Sequence, residues 1–181
     1  MHQRGLLLDR DGVINVDFNY VHRPDQFVFM PGLFPALRAA QDRGYRLAVI
    51  TNQSGVARGL YSAAAYEHLT AWMRDALRRE GIEIALVLAC FEHRDGAIPA
   101  LARDSYWRKP NPGMVLEALQ RLRLDPARST MIGDHPRDLQ AAAAAGIGQR
   151  LFFNADEKPC AAATGSFRHW DQLPGLLGQS G

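Results

Sequence analysis

Three short apolar runs in this sequence each end in a cluster of polar residues. The transitions run from Leu8 into Asp9-Arg10-Asp11-Gly12, from Ile50 into Thr51-Asn52, and from Ile132-Gly133 into Asp134. Runs of this length predict buried β-strands, and the segments between them carry apolar residues at helical spacing. Strands that alternate with helices favour an α/β fold, in which one parallel sheet has helices on both faces.

The coarse order of elements follows from apolar periodicity and capping residues. We predict strands at 5–8, 45–50, 84–89, 130–133 and 149–153. We predict helices over 33–43, 62–80, 112–122 and 136–145, with Asn111 as the N-cap of the third, and one or two helical turns over 171–177. These elements use up the intervals between the polar clusters. We therefore expect one domain over 1–181 without a large cap domain.

Composition excludes several classes of protein. The net charge is only +2 and no run of Lys or Arg is present, so nucleic acid is not an expected partner. No apolar stretch approaches the length of a membrane span. Two cysteines, Cys90 and Cys160, do not make a disulfide framework, which favours a reducing, cytoplasmic compartment. We expect a monomer with no membrane partner.

The polar clusters are expected to meet in space although they lie far apart in the sequence. In an open α/β sheet, ligands bind beyond the carboxyl ends of the strands. Lys109 follows the third predicted strand after a loop and can reach the same place. Carboxylates, a hydroxyl and an ammonium in one crevice suit phosphoryl transfer with a hard cation. Taken singly, each residue also has an ordinary interpretation as a turn, capping or surface residue.

The clusters resemble the four motifs of the haloacid dehalogenase superfamily, from about Leu7 to Gly146. The residues that carry the resemblance are Asp9–Asn15, Thr51–Gly55, Arg108-Lys109-Pro110, and Gly133-Asp134 with Asp138. The residues of these motifs are similar to those of the subfamily of heptose bisphosphate and histidinol-phosphate phosphatases. The resemblance implies a Rossmann-like sheet and a phosphatase.

The resemblance also implies catalytic roles. Asp9 is implied to attack phosphorus and form an aspartyl phosphate. Asp11 is implied to protonate the leaving oxygen and then to deprotonate the hydrolytic water. Thr51 is implied to hold phosphoryl oxygens, and Lys109 to neutralise charge on the phosphoryl group and on Asp9.

A magnesium site follows from the same resemblance. Asp9, Asp134 and the backbone carbonyl of Asp11 are implied to bind Mg²⁺, and waters are expected to complete the octahedron. Asp138 stands one helical turn after Asp134 and is expected to act on the site without binding the ion.

Substrate recognition is assigned to three groups of residues. The segment after the nucleophile loop and the polar residues of the Thr51 loop form these groups, together with the pair before Pro110. They are Asp17, Phe18, Asn19, Tyr20, Thr51, Asn52, Gln53, Ser54, Arg108 and Lys109. Arg108, with Arg58 as a second candidate, is expected to read a second phosphate of the substrate because a guanidinium fork suits oxyanions.

The implied substrate is a phosphorylated sugar, a heptose 1,7-bisphosphate that loses its 7-phosphate. A phosphatase of histidinol phosphate or of another small phosphate ester is the alternative. A non-catalytic binder of phosphorylated ligands on the same scaffold is disfavoured because Asp9 and Asp11 are both present.

The chain departs from many relatives in the long segment before Arg108. Many relatives hold a structural zinc there with a cysteine and a histidine near the start of the loop and two cysteines near its end. Here the start keeps Cys90 and His93, whereas the end, Asp104–Trp107, contains no cysteine. Because a closed structural zinc site needs four nitrogen or sulfur ligands, we predict that no zinc is bound.

Overall fold

The computed structural model describes residues 3–153 and 159–178, and it contains one six-stranded parallel sheet. The strand order is β3-β2-β1-β4-β5-β6, and every neighbouring pair is parallel. The strands are β1 Arg4–Leu8, β2 Tyr45–Asn52, β3 Ile84–Cys90, β4 Thr130–Gly133, β5 Gln149–Phe153 and β6 Gly165–Phe167. The predicted Rossmann-like α/β class is therefore confirmed. The ends of the predicted 1–181 domain and its residues 154–158 lie outside the described ranges.

Helices cover both faces of the sheet, as the alternation of elements predicts. They are α1 Leu33–Asp42, α2 Ala63–Arg79, α3 Gly113–Leu122, α4 Pro136–Ala144 and the short α5 Leu173–Leu176. Strand β1 shows how the core divides, because successive side chains of a strand point to opposite faces. Leu6 and Leu8 pack with the apolar faces of α1 and α2. Leu7 packs with those of α3 and α4 on the other side.

The element boundaries differ from the predictions in a few places. Helix α3 begins at Gly113, with Pro112 as its N-cap, whereas the prediction had Asn111 in that role. The Asn111 amide instead donates to the carbonyl of Ser105, so its side chain closes the preceding loop. Strand β6 was not predicted. Its three residues pair with β5 at the edge of the sheet, and so short a run carries no periodicity of its own.

The topology places three polar clusters side by side. Strand β1 lies between β2 and β4, and the three strands run in the same direction. Their carboxyl ends therefore bring Asp9, Thr51 and Asp134 to one edge of the sheet. Among the described residues, no helix combines the length and the apolar character that crossing a membrane would need.

Candidate active site

Three carboxylates meet at the carboxyl ends of β1 and β4. Asp9 follows β1, Asp134 follows β4, and Asp138 lies in the first turn of α4. Each can offer one oxygen such that the three atoms lie within 4.8 Å of one another. Hard, all-oxygen donors at this spacing suit Mg²⁺.

Lys109 neutralises part of this cluster from a fully buried position. Its Nζ lies 3.0 Å from Asp9 Oδ1 and 2.8 Å from Asp138 Oδ1, and it donates to the carbonyl of Ile50 at 2.7 Å. Burial lowers the pKa of Lys109, but Asp138 and Asp9 more than offset that effect, so the net pKa is raised. The ammonium therefore stays charged beside Asp9.

Lys109 is one cation beside three carboxylates, and the pKa values of two of them are raised. Burial first, and then the charge of Asp138, raises the pKa of Asp9 to about 7. Burial first, and then the charges of Asp9 and Asp138, raises the pKa of Asp134 to about 8. Asp138 is already bound by Lys109 and by the backbone N–H of His135 at 3.1 Å. Asp9 and Asp134 are therefore the carboxylates that fit a divalent cation, and Asp138 fits the expected role beside the ion.

Two glycines make room for these carboxylates. Gly12 has a φ of +81°, and a Cβ at this position would overlap the Asp134 carboxylate. A Cβ on Gly133 would overlap the side chain of Asp138. The close packing explains why the motifs Asp11-Gly12 and Gly133-Asp134 both need a residue without a side chain.

The β2 end of the site is held by paired backbone and side-chain contacts. The Asn52 amide accepts from the Lys109 N–H and donates to the Lys109 carbonyl, each at 3.1 Å. Asn52 therefore fixes the backbone from which the Lys109 ammonium extends. The Thr51 hydroxyl is buried and accepts from Gln53 Nε2 at 2.9 Å.

The Asp11 carboxylate is held by three side chains. The buried Arg10 guanidinium contacts both of its oxygens at 2.9–3.2 Å. Asn15 Nδ2 donates to one oxygen at 3.0 Å and Gln53 Nε2 to the other at 2.9 Å. Both oxygens of this carboxylate are therefore engaged by protein groups, whereas the predicted contribution of Asp11 to the metal site is its backbone carbonyl.

These groups open into a cavity of about 350 Å³. Asp9, Asp11 and Asp134 lie on one side of it, and the rest of its lining is Asp17, Asn19, Tyr20, Asn52, Gln53, Ser54, Arg58, Tyr61, His93, Arg108, His135 and Arg137. Burial, and then the like charges of Arg137 and Arg58, lower the pKa of Arg108. Among the described residues, none of these three arginines forms an ion pair with a carboxylate.

The structure brings together most, but not all, of the residues predicted to bind substrate. Phe18 is 58% exposed and does not line the cavity, whereas Asp17, Asn19 and Tyr20 do. Thr51 and Lys109 lie buried beneath the lining rather than on it. Four lining residues were not predicted from the sequence, namely Tyr61, His93, His135 and Arg137. No short motif contains them as a set, so only the fold reveals that they converge.

The loop from Cys90 to Trp107, where we predict no zinc, is closed by other contacts. Arg94 pairs with Asp104 at 3.2 Å, which joins the two ends of the loop. Burial, and then the neighbouring Glu92, raises the pKa of Cys90 to about 11, so its thiol is protonated near neutral pH. Within residues 3–153 and 159–178, only Asp9, Asp134 and Asp138 form a cluster with metal-binding spacing.

Comparison with known proteins places this geometry among hydrolases. The model of the haloacid dehalogenase-like hydrolase family matches residues 4–146. The chain is 41% identical over 165 residues to the D-glycero-beta-D-manno-heptose-1,7-bisphosphate 7-phosphatase of Salmonella typhi, covering 91% of this chain and 87% of the relative. It is 41% identical over 140 residues to the D-glycero-alpha-D-manno-heptose-1,7-bisphosphate 7-phosphatase of Photorhabdus laumondii, covering 77% and 76% of the two chains.

A solved structure with similar architecture carries ligands. The D,D-heptose 1,7-bisphosphate phosphatase from B. bronchiseptica, complexed with magnesium and phosphate, superposes with a TM-score of 0.82 at 28% identity. The match covers 96% of this chain and 97% of that one.

Proposed function

This chain belongs to the family of haloacid dehalogenase-like hydrolases, and on that premise we propose that it is a magnesium-dependent phosphatase of D-glycero-D-manno-heptose 1,7-bisphosphate. The 7-phosphate is the group removed. The names of the relatives differ in the anomer, alpha or beta, but agree on this phosphate.

One observation carries the substrate assignment. The cavity that contains Asp9 and Asp134 also presents Arg58, Arg108 and Arg137, none of which is ion-paired within the described part of the chain. The Nε atoms of Arg58 and Arg137 are buried without a hydrogen-bond partner. Half-buried guanidinium groups whose charge no carboxylate balances are costly unless an anion binds them. A substrate with a second phosphate supplies that anion.

The first chemical step is assigned to Asp9 and Asp11. The Asp9 carboxylate attacks phosphorus, the bond between phosphorus and the sugar oxygen breaks, and Asp11 gives its proton to that oxygen. Lys109, 3.0 Å from Asp9, offsets negative charge as the aspartyl phosphate forms.

The second step returns the enzyme to its starting state. A water molecule attacks the phosphorus of the aspartyl phosphate and gives a proton to Asp11. The bond between phosphorus and the Asp9 oxygen breaks, which releases inorganic phosphate and regenerates the carboxylate.

Mg²⁺ fits the donor set because Asp9 and Asp134 are crowded carboxylates whose pKa values are raised by burial and then by the charges of neighbouring carboxylates. Asp9, Asp134 and the Asp11 carbonyl would hold the ion, which when bound neutralises charge on the transferring phosphoryl group. The prediction that the protein binds no zinc is also part of this proposal.

The substrate assignment is tested by comparing two phosphate esters. With purified protein and Mg²⁺, we expect kcat/KM for the heptose bisphosphate to exceed that for histidinol phosphate by about tenfold, or ~1.4 kcal/mol of transition-state binding. Histidinol phosphate carries an ammonium in place of the second phosphate, and Asp17 is the cavity carboxylate that could pair with it. If histidinol phosphate is the better substrate, the heptose assignment is wrong.

The role of the arginines is tested separately from the chemistry. Arg108→Ala is expected to lower kcat/KM for the bisphosphate by at least about tenfold, with little effect on a small monophosphate ester. Arg121→Ala is the matched control, because Arg121 pairs with Glu117 on the surface of α3. Equal losses on both esters would contradict a contact between Arg108 and the second phosphate.

A further inference from the structure

Tyr61 is a buried polar residue to which the proposed reaction assigns no role. It lies between the Thr51 loop and α2, where its ring packs against Val56 and Tyr66. Its hydroxyl donates to Gln53 Oε1 at 2.5 Å. Burial raises the pKa of Tyr61, so the hydroxyl remains a donor throughout the working range of pH.

The contact with Tyr61 determines which way the Gln53 amide faces. Because Oε1 accepts from the tyrosine, Nε2 is directed to Asp11 Oδ2 and to Thr51 Oγ1, each at 2.9 Å. A flipped amide would bring its carbonyl oxygen against the Asp11 carboxylate, which only accepts hydrogen bonds when ionised. Gln53 therefore has no free amide hydrogen for substrate in this arrangement, in contrast to its predicted role.

The position of Tyr61 is itself closely determined. A Cβ on Gly55 would overlap the tyrosine ring, so the glycine of the Thr51 loop leaves the space that the ring occupies. The His22 ring stacks on the Tyr61 ring with a centroid distance of 5.0 Å and an interplanar angle of 6°. The His22 ring also contacts the carbonyl of Tyr20 at 2.8 Å through Nδ1. Tyr61 thus joins the substrate segment to Asp11.

We propose that Tyr61 is a positioning residue, which acts through Gln53 to hold the Asp11 carboxyl group where it exchanges a proton with the leaving oxygen. The inference rests on the proposed function, in which Asp11 is the general acid. Its consequence is a dependence on the leaving group. A sugar alkoxide needs the proton from Asp11, whereas p-nitrophenolate departs without one.

The test compares these two leaving groups in Tyr61→Phe with Mg²⁺ present. We expect kcat/KM for the alkyl ester, the heptose bisphosphate, to fall by about tenfold, and kcat/KM for p-nitrophenyl phosphate to stay within about twofold of wild type. Tyr66→Phe is the matched control, a buried tyrosine of the same cluster whose hydroxyl is not among the hydrogen-bond partners of the Gln53 side chain. It should leave both values unchanged.

Several outcomes would overturn the inference. Equal losses on both esters would indicate a general structural role for the hydroxyl, and no loss on either would show that Asp11 does not depend on it. If Tyr61→Phe does not fold, Gln53→Met removes the same link, and its loss of kcat/KM should be larger for the heptose bisphosphate than for p-nitrophenyl phosphate. Asp11→Asn distinguishes the two levels of failure. If Asp11→Asn loses as much kcat/KM on p-nitrophenyl phosphate as on the heptose bisphosphate, the general-acid assignment fails as well. If Asp11→Asn loses more on the heptose bisphosphate but Tyr61→Phe does not, only the inference about Tyr61 fails.

Discussion

At the scale of single residues, the site is governed by buried charges that have few partners. Lys109 contacts Asp9 and Asp138 together, and Asp138 also caps α4 through the backbone N–H of His135. Each of these contacts restrains a group that would be costly to bury alone. Asp9 therefore keeps one fixed position at the end of β1, which an in-line attack requires.

Asp9→Asn tests the nucleophile. The amide is nearly isosteric with the carboxyl group but does not attack phosphorus, so we expect kcat to fall by about three orders of magnitude or more. Circular dichroism and the melting temperature should show that the variant remains folded. A purified variant that kept about a tenth of wild-type kcat would rule out the aspartyl phosphate.

Gly12→Ala tests the space beside the metal ligands. The new methyl group would displace the Asp134 carboxylate, so we expect Mg²⁺ affinity, measured by calorimetric titration, to fall by about tenfold or more. Gly44→Ala is the matched control, since its φ is also +81° but no atom lies within 4 Å of the new Cβ. Both variants should lose roughly 1–2 kcal/mol of stability from the left-handed backbone, and unchanged Mg²⁺ affinity in Gly12→Ala would contradict the packing argument.

At the scale of elements, loops at strand ends carry the chemistry and the rigid sheet positions them. The segment from the end of β3 to α3 is one of the long connections that bear on the site, and it supplies His93, Arg108 and Lys109. Its ends are joined by the Arg94–Asp104 ion pair, and Glu92 near its start pairs with Arg103. Each exposed ion pair contributes little to the stability of the loop. Backbone hydrogen bonds, such as that from the His93 N–H to the Leu101 carbonyl, therefore also stabilise it.

This loop leads to a prediction about metals. Protein purified without added zinc should contain well under about one zinc per chain by elemental analysis, because the end of the loop has no cysteine. EDTA should abolish activity, and Mg²⁺ alone should restore it. A stoichiometric zinc that survives dialysis would show that the loop binds metal with other ligands.

At the scale of the whole molecule, the parallel sheet gathers negative charge at one edge, and this affects stability. Asp9 and Asp134 have pKa values raised to about 7 and about 8 in the folded chain. Between about pH 4 and pH 8 the folded state therefore binds more protons at these groups than the unfolded state does. Their contribution to the free energy of unfolding must fall as pH rises through this range.

Mg²⁺ competes with those protons, so its stabilising effect should grow with pH. We expect the increase in melting temperature caused by Mg²⁺ to be larger near pH 8 than near pH 6. Comparing melting temperatures with and without the ion at each pH largely removes the contributions of His93 and His135, whose pKa values are lowered. Asp134→Asn should lose most of the increase, and an increase independent of pH in wild type would contradict the assignment of these carboxylates.

The sequence alone was enough to predict the fold class, because apolar periodicity and caps such as Ser62 are local properties of the chain. It also selected Asp9, Thr51 and Asp134 as neighbours, since parallel strands always bring their carboxyl ends to one edge. Strand β6 escaped prediction because its three residues are specified by pairing with β5 and not by a pattern of their own.

Only the tertiary structure decided which side chains complete the cavity and how each is oriented. Arg137 faces the same space as Arg58 and Arg108 because α4 packs beside β4, and no local signal distinguishes it from a surface arginine. The sequence placed Gln53 among the substrate contacts, whereas the structure engages its amide with Asp11, Thr51 and Tyr61. Strand positions follow from local patterns, but hydrogen-bond partners depend on contacts between segments that are distant in sequence, and these exist only in the folded chain.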